Sequence, residues 1–311
     1  MGFGLLYFAP MLFLLLSIIS STLLVMVFKF FPKFGIDTFQ AIVANYFICV
    51  FCGTLVLGRF PFSSETLNAE WLPYASILGL LFISGFYAVG MTVLFFGLTV
   101  ASVLQKMSLV ISVPYAIIAF SEPATTLKIS GVLLALGAVV LSNWPSGVQK
   151  TEPGLDNIKK QSSAFLIWFF PIFAFLSSGG IECGLQFVQN SILDSSGNDS
   201  AEFSSGIFAS AGILGSLVIF YQMIRGKAKF AWKNLFAGIL LGVPNYFSIF
   251  FLLKSFDVLG DKSVVLPVNN ITIVAVSALL GVLLFKEKLS KINWLGVGLA
   301  ALAILLIAIK F

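Results

Sequence analysis

Long runs of apolar residues, separated by short polar connectors, dominate the chain. Ten such runs can be traced, each near or above the roughly 20 residues that an α-helix needs to cross a bilayer. They cover residues 5–28, 38–58, 71–95, 99–120, 126–144, 163–188, 204–224, 233–254, 263–284 and 290–310. The strict alternation of a membrane β-barrel strand does not occur in them. The pattern therefore predicts an all-α integral membrane protein with ten transmembrane helices.

The most polar connector divides the chain near its middle. Residues 145–162 contain seven charged or proline residues: Pro145, Lys150, Glu152, Pro153, Asp156, Lys159 and Lys160. We interpret residues 148–162 as a linker between a first five-helix repeat, residues 1–147, and a second, residues 163–311. The other sizeable connector, residues 190–203, is acidic. Neither connector is long enough to form a soluble domain.

An internal repeat supports this division. Phe-Ser-Glu at 120–122 is followed by Gly-Val at 131–132, and Phe-Lys-Glu at 285–287 is followed by Gly-Val at 296–297. Each copy ends one apolar run, crosses a polar turn and enters the next run. Because each half would hold five helices, an odd number, the halves would face opposite ways in the membrane. Inverted repeats of this kind are characteristic of secondary transporters.

Basic residues are distributed unevenly between the two alternating sets of connectors. The connectors between runs 1–2, 3–4, 5–6, 7–8 and 9–10 carry twelve: Lys29, Lys33, Lys150, Lys159, Lys160, Arg225, Lys227, Lys229, Lys233, Lys286, Lys288 and Lys291. The opposite side carries five: Arg59, Lys128, Lys254, Lys262 and Lys310. The positive-inside rule therefore predicts that both termini lie outside. Matched connectors of the two halves also differ in charge, as inversion requires.

Composition narrows the classes of function. A mean hydropathy of +1.04 with 10% charged residues lies outside the range of soluble domains. Histidine is absent, so His-based triads and imidazole metal ligands are excluded. Cys49 and Cys52 form a C-x-x-C inside an apolar run, with no second pair to complete a metal site. We therefore expect that the protein is not an enzyme and that it uses no cofactor or metal. We also expect no nucleic-acid partner, because the positive charges lie at helix ends and form no basic face.

The five-plus-five pattern and the Phe-x-Glu motif, followed nine residues later by Gly-Val, resemble the drug/metabolite transporter superfamily in its EamA-like branch. The resemblance covers essentially the whole chain. It implies a ten-helix permease of the plasma (bacterial inner) membrane that exports amino acids or other metabolites, with relatives that carry nucleotide sugars or sugar phosphates. It also implies a cavity between helices 1, 3, 4, 6, 8 and 9. One departure is Pro123, which follows Glu122 where Lys288 follows Glu287, and which indicates a stiffer turn.

The two glutamates of the repeat have a structural interpretation. Glu122 and Glu287 each precede a predicted helix start, where the macrodipole and free N–H groups favour a carboxylate. The family places a glutamate in these turns. We interpret both as helix caps rather than catalytic groups.

Lys106 is a different case, because it lies about eight residues into the fourth apolar run. A lysine at that depth costs several kcal/mol unless it snorkels, pairs or faces a polar cavity. Its polar neighbours Gln105 and Ser108 favour a cavity. We interpret Lys106 as an anchor for an anionic substrate group such as a carboxylate or phosphate, with snorkelling to the inner interface as the alternative.

Glu182 is the acidic counterpart in the sixth run. Alignment of the halves through Pro10 and Pro171 matches it to Ser21 within one residue, so the charge belongs to one half only. A buried carboxylate would be the natural proton carrier in a chain without histidine. We interpret Glu182 as the coupling residue, the alternative being a hydrogen bond or lysine pair that joins helices. A direct pair with Lys106 is not expected, because the run boundaries place the two at different depths.

Amides and phenols within the apolar runs complete the candidate substrate site. Asn269 and Asn270 follow a proline in the ninth run and align approximately with Lys106. Asn245 and Tyr246 follow a proline in the eighth run, and Tyr87 lies in the third. Each of these side chains could instead hold neighbouring helices together.

These features favour a secondary transporter, an exporter or exchanger, for a small polar or amphipathic metabolite. We expect alternating access around a midplane site, with protons as the candidate coupling ion, in a monomer or weak dimer. The alternative is a lipid or lipid-linked sugar flippase, for which a phenylalanine-rich groove would suit.

Overall fold

The computed structural model describes residues 3–62, 66–120, 125–142, 164–193, 197–259, 262–286 and 289–308. Within these ranges all regular structure is helical. The α-helices are α1 (Phe3–Phe28), α2 (Phe31–Phe34), α3 (Thr38–Leu57), α4 (Leu72–Phe96), α5 (Leu98–Lys106), α6 (Leu109–Ala119), α7 (Thr126–Ser142), α8 (Ala164–Ser191), α9 (Gly197–Ile224), α10 (Trp232–Leu259), α11 (Lys262–Leu283) and α12 (Lys291–Ala308). A 3₁₀ turn at Thr66–Asn68 precedes α4.

Six stretches of the described chain are helical, long and apolar enough to cross a bilayer. They are Thr38–Leu57, Leu72–Phe96, Leu98–Ala119, Phe165–Gln189, Ala201–Ile224 and Trp232–Leu252. Shorter apolar helices lie at Leu12–Phe28, Ile129–Ala138, Thr272–Leu283 and Lys291–Leu306. The predicted all-α class and membrane-helix character of the chain are confirmed.

Local sequence explains several helix boundaries. Asp37 caps α3, since its Oδ1 accepts a hydrogen bond from the Gln40 N–H at 3.0 Å. Gly97 joins α4 directly to α5 with φ +95°, a conformation that favours glycine. At the start of α12, Ser290 and Asn293 bond each other's backbone N–H reciprocally. The predicted caps Glu122 and Glu287, and the linker 148–162, lie outside the described residues.

The packing joins helices from the two halves of the chain. Helix α10 packs against α1 and α3, α4 against α8 and α9, and α3 against α9. Helix α11 packs against α1 and α5, α8 against α5 and α6, and α7 against α12. Neither half therefore forms a separate bundle, and the core lies between them.

The α3–α10 contact combines small residues with a buried polar pair. The Asn245 Nδ2 donates to Asn45 Oδ1 at 3.1 Å, and Cys49 Sγ lies 3.4 Å from the Gly242 carbonyl oxygen. Glycine at 242 permits this approach, because a Cβ there would lie 2.6 Å from Ile48 Cβ and 2.7 Å from the Asn45 carbonyl oxygen.

Gly242→Ala is therefore expected to destabilise the protein by about 1–3 kcal/mol, since two backbones must separate to admit one methyl group. Gly298→Ala is the matched control, because a Cβ at that exposed position of α12 meets nothing within 4 Å. Thermal unfolding of both variants in one detergent checks the prediction. Equal melting temperatures for the two would contradict it.

Candidate functional site

The fourth apolar run is a broken helix, and the candidate site is built around the break. Helix α5 ends at Lys106, and α6 starts at Leu109. The Met107 N–H donates to the Val103 carbonyl at 2.8 Å, whereas the Val110 N–H donates to the Met107 carbonyl at 3.0 Å, three residues back. A tight turn thus interrupts the α-helical ladder between the two segments, and Ser108 occupies the N-cap position of α6.

Glu182 of α8 is hydrogen-bonded to two serine hydroxyls at and just after this break. Ser108 Oγ lies 2.9 Å from Glu182 Oε1, and Ser112 Oγ lies 2.7 Å from Oε2. Both serines are almost fully buried, with exposures of 0% and 1%. Each carboxyl oxygen therefore has its own hydroxyl partner, in surroundings where an unpaired charge would be costly.

Lys106 lies close enough to Glu182 for the two charges to interact electrostatically. In the part of the chain that the structure describes, no ion pair within 4.0 Å joins them. The expectation that they lie at different depths is wrong, because Ser108, two residues after Lys106, bonds Glu182.

The ends of the broken helix suit both charges. Lys106 occupies the last turn of α5, where the partial negative charge of the helix end favours a cation. The Glu182 carboxyl, which comes from α8, lies beside Ser108 at the start of α6, where the partial positive charge favours an anion. Both charged side chains therefore lie at the junction of α5 and α6.

Glycines bring α8 against its neighbours at this point. A Cβ at Gly179 would lie 2.8 Å from Ile111 Cβ on α6, and one at Gly184 would lie 2.6 Å from Leu78 Cδ2 on α4. The close α8–α6 approach is what allows the Glu182 side chain to reach both serines.

Asn269 and Asn270 lie on α11, which packs against α5, the helix that ends at Lys106. They are 2% and 3% exposed, and Asn269 Oδ1 and Asn270 Nδ2 have no hydrogen-bond partner within the described structure. Ser102 Oγ on α5 and Ser277 Oγ on α11 share this property. Buried polar atoms without partners are uncommon, so this part of the bundle has spare hydrogen-bonding capacity.

Asn245 and Tyr246 occupy a different place. Asn245 bonds Asn45 across the α3–α10 contact. Tyr246 is 4% exposed and packs against α3, since a Cβ at Gly53 would lie 3.3 Å from Tyr246 Cε2. The structure therefore gives both residues packing roles between helices and does not bring them to Glu182.

Tyr87 also lies apart from Glu182. Its ring makes edge contacts with Phe39 at 5.6 Å and with Phe170 at 5.8 Å. Asp37, the cap of α3, interacts electrostatically with the Tyr87 hydroxyl. Tyr87 thus contacts residues near the 1–2 connector.

Ser112 is the site residue that the sequence interpretation missed. The sequence pattern marks Ser108 only as a polar neighbour of Lys106. The available signal was their spacing of four, which puts both hydroxyls on one face of a helix.

No protein-family model matches the chain. The chain is 27% identical over 290 residues to an uncharacterized protein of Haemophilus influenzae, a match that covers 91% of this chain and 93% of that protein. The two proteins thus match along almost their whole lengths, and the description of that relative names no activity.

Proposed function

We propose that the protein is a ten-helix secondary transporter that moves a small metabolite with an anionic group by alternating access. The observation that carries this proposal is the pair of charges at the break in the fourth run. Lys106 and Glu182 interact without forming an ion pair, so the lysine has capacity for a further anionic partner. Charged residues in membrane-spanning helices are rare and usually functional.

The helix packing supports two related halves. Exchange of the halves matches α1 with α8, α3 with α9, α4 with α10, the α5–α6 pair with α11, and α7 with α12. Under this exchange the α1–α10 contact becomes α8–α4, and α3–α10 becomes α9–α4. The α1–α11 contact becomes α8 against α5 and α6, while α3–α9, α5–α11 and α7–α12 map onto themselves. A pseudo-two-fold relation of this kind is what an inverted repeat produces.

Contacts between connectors support ten alternate crossings. The Asp37 N–H donates to Asn234 Oδ1 at 3.0 Å, which joins connector 1–2 to the start of α10, where connector 7–8 ends. Phe30 and Phe285 make an edge contact at 5.5 Å, which joins connectors 1–2 and 9–10. Both contacts link connectors of the basic set.

The opposite side has a contact of the same kind. Arg59 forms an ion pair with Glu202, which joins the connector after α3 to the start of α9. Ten crossings put both residues on the side opposite the basic connectors. The contacts between halves therefore agree with one alternating topology.

In the proposed mechanism, Lys106 binds the anionic group of the substrate, and Glu182 carries the coupling proton. Asn269 and Asn270 lie on the helix packed against α5, and their unpartnered amide atoms would bind polar groups of the same substrate. The two halves would rock about this region, opening it to each side in turn. Asn245, Tyr246 and Tyr87 would then hold helices together rather than contact substrate.

A thermal-shift screen on purified protein tests the function. We expect amino acids, sugar phosphates or nucleotide sugars to raise the melting temperature of the wild-type protein, since a ligand at 100 times its Kd stabilises by about 2.7 kcal/mol. Lys106→Ala should lose this stabilisation for anionic ligands. Lys33→Ala, in the exposed 1–2 connector, is the matched control. Unchanged stabilisation of Lys106→Ala would remove Lys106 as the anchor.

The flippase alternative finds less support. One surface depression on the described chain is lined by Phe165, Trp168, Phe169 and Ile172. It lies on α8 at least ten residues from Glu182, or about 15 Å along the helix. A scrambling assay with labelled lipids separates the two functions, because lipid transfer without stabilisation by any soluble metabolite would favour the flippase.

A further inference from the structure

The Ser108 hydroxyl faces two acceptors. Its Oγ lies 2.7 Å from the Gln105 carbonyl oxygen and 2.9 Å from Glu182 Oε1. A serine hydroxyl has one hydrogen and can donate it to one acceptor at a time. Ser112 differs, because its Oγ lies 2.7 Å from Glu182 Oε2 and has no second acceptor among the bonds of the described chain.

The charge on Glu182 determines to which of the two acceptors the Ser108 hydroxyl donates its hydrogen. A carboxylate can only accept, so charged Glu182 requires the Ser108 hydrogen, and the Gln105 carbonyl loses its side-chain donor. A protonated carboxyl can donate its own hydrogen to Ser108 Oγ, which frees Ser108 to donate to the Gln105 carbonyl. Ser112 donates to Glu182 in both states. Protonation thus reverses one hydrogen bond and leaves the other in place.

The Gln105 carbonyl, which competes with Glu182 for the Ser108 hydrogen, lies at the break in the helix. Gln105 immediately precedes Lys106 in the last turn of α5. Its carbonyl is one of those that a helix end leaves without an intrahelical donor, so the serine hydrogen bond matters to the local geometry. The protonation state of Glu182 therefore determines, through Ser108, whether the backbone carbonyl beside Lys106 accepts a hydrogen bond.

We propose that Ser108 is a proton-dependent hydrogen-bond switch that links protonation of Glu182 to the conformation of the α5 end carrying Lys106. This inference rests on the proposed coupling role of Glu182. The charged or titratable groups of the described chain that interact with Glu182 are Lys106 on α5 and Cys183 on α8 itself. Helix α6 contributes Ser112, and α4 faces α8 here through apolar side chains such as Leu81. Ser108 is thus a positioning residue that acts through Glu182.

A mutant cycle at one constant pH tests the switch without any substrate. Glu182→Gln imitates the protonated carboxyl, because its amide N–H can donate to Ser108 Oγ. Hydrogen–deuterium exchange of the segment spanning residues 103–110 is measured in nanodiscs. In the otherwise wild-type protein we expect Glu182→Gln to change exchange there by about fivefold, the scale of one net hydrogen bond.

The serine variants separate the switch from a merely structural role. Ser108→Ala should remove the effect of Glu182→Gln on exchange, whereas Ser112→Ala, which deletes an equally short bond to the same carboxyl, should keep it. Ser108→Thr, which retains a hydroxyl, should restore it. If Ser108→Ala does not fold, Ser108→Cys, with its weaker S–H donor, carries the same expectation in reduced form.

Two outcomes would overturn the switch: an unchanged effect of Glu182→Gln in the Ser108→Ala background, or no effect of Glu182→Gln in the wild-type protein. Since exchange is measured without substrate, either result leaves the transport proposal standing on its own tests. Conversely, a positive cycle in a protein that binds none of the screened metabolites would support the switch and count against the proposed transport function.

Discussion

Glu182→Gln is expected to abolish the response of transport to a pH gradient while preserving exchange of substrate across the membrane. The glutamine cannot gain or lose a proton, yet its amide can still bond Ser108 and Ser112, which lie 2.9 Å and 2.7 Å from the present carboxyl oxygens. The binding site should therefore stay intact while the coupling step is lost. Uphill accumulation should fall to background, and counterflow should continue.

Proteoliposomes loaded with a pH-sensitive fluorophore are used to measure proton-driven accumulation and counterflow of the same substrate in parallel. The transported probe is the metabolite that most stabilises the wild-type protein in the thermal-shift screen. Glu70→Gln is the matched control, because Glu70 is an exposed glutamate in the connector before α4. Proton-driven accumulation by Glu182→Gln at the wild-type rate would remove Glu182 as the coupling residue. Loss of counterflow as well would indicate a structural role instead.

The sequence identified Lys106 and Glu182 because a charge inside an apolar run requires a compensating environment. It could not show that they share one environment. The contact that unites them spans 74 residues, from Ser108 to Glu182, and depends on the rotation of two helices about their axes. The depth estimate failed because apolar runs locate helix ends only within a few residues, and because the fourth run is interrupted at Met107 and Ser108.

Asn245 and Asn270 show that residue type alone does not predict whether a buried asparagine bonds a neighbouring helix. Both are asparagines after a proline in an apolar run, one residue after Pro244 and three after Pro267, and their sequence contexts predict the same role. In the structure, Asn245 is bonded to Asn45, whereas Asn270 Nδ2 lacks a partner in the described chain. The difference arises from the neighbouring helix, because α3 presents the Asn45 amide to α10, whereas no amide of the described residues bonds Asn270.

Gly179→Ala is expected to disrupt the hydrogen bonds of Glu182 with Ser108 and Ser112, although Gly179 itself contacts none of these three residues through a side chain. A Cβ at 179 would lie 2.8 Å from Ile111 Cβ and 3.0 Å from Ile111 Cγ1, so α6 must move away from α8. Ile111 stands between Ser108 and Ser112 in sequence, and the same displacement would stretch both serine bonds to Glu182. We expect a loss of about 1–3 kcal/mol in stability, the usual scale of overpacking.

Gly180→Ala is the matched control for this change. It adds the same methyl group one residue along α8, where the nearest atom would be Leu81 Cδ1 at 3.6 Å, an ordinary contact. Its melting temperature should stay within the range that corresponds to about 0.5 kcal/mol. Both variants are compared by thermal unfolding and by the proton-driven accumulation assay, in which Gly179→Ala should be impaired and Gly180→Ala should resemble the wild-type protein.

A second-site change distinguishes displacement of α6 from a general loss of packing. Ile111→Ala removes Cγ1 and Cδ1, two of the three atoms that a Cβ at 179 would meet. Combined with Gly179→Ala, it should cost less stability than the sum of the two single changes, because the alanine methyl then occupies space that the isoleucine has left. Strictly additive costs would mean that α6 does not move, and the link from Gly179 to Glu182 would have to be abandoned.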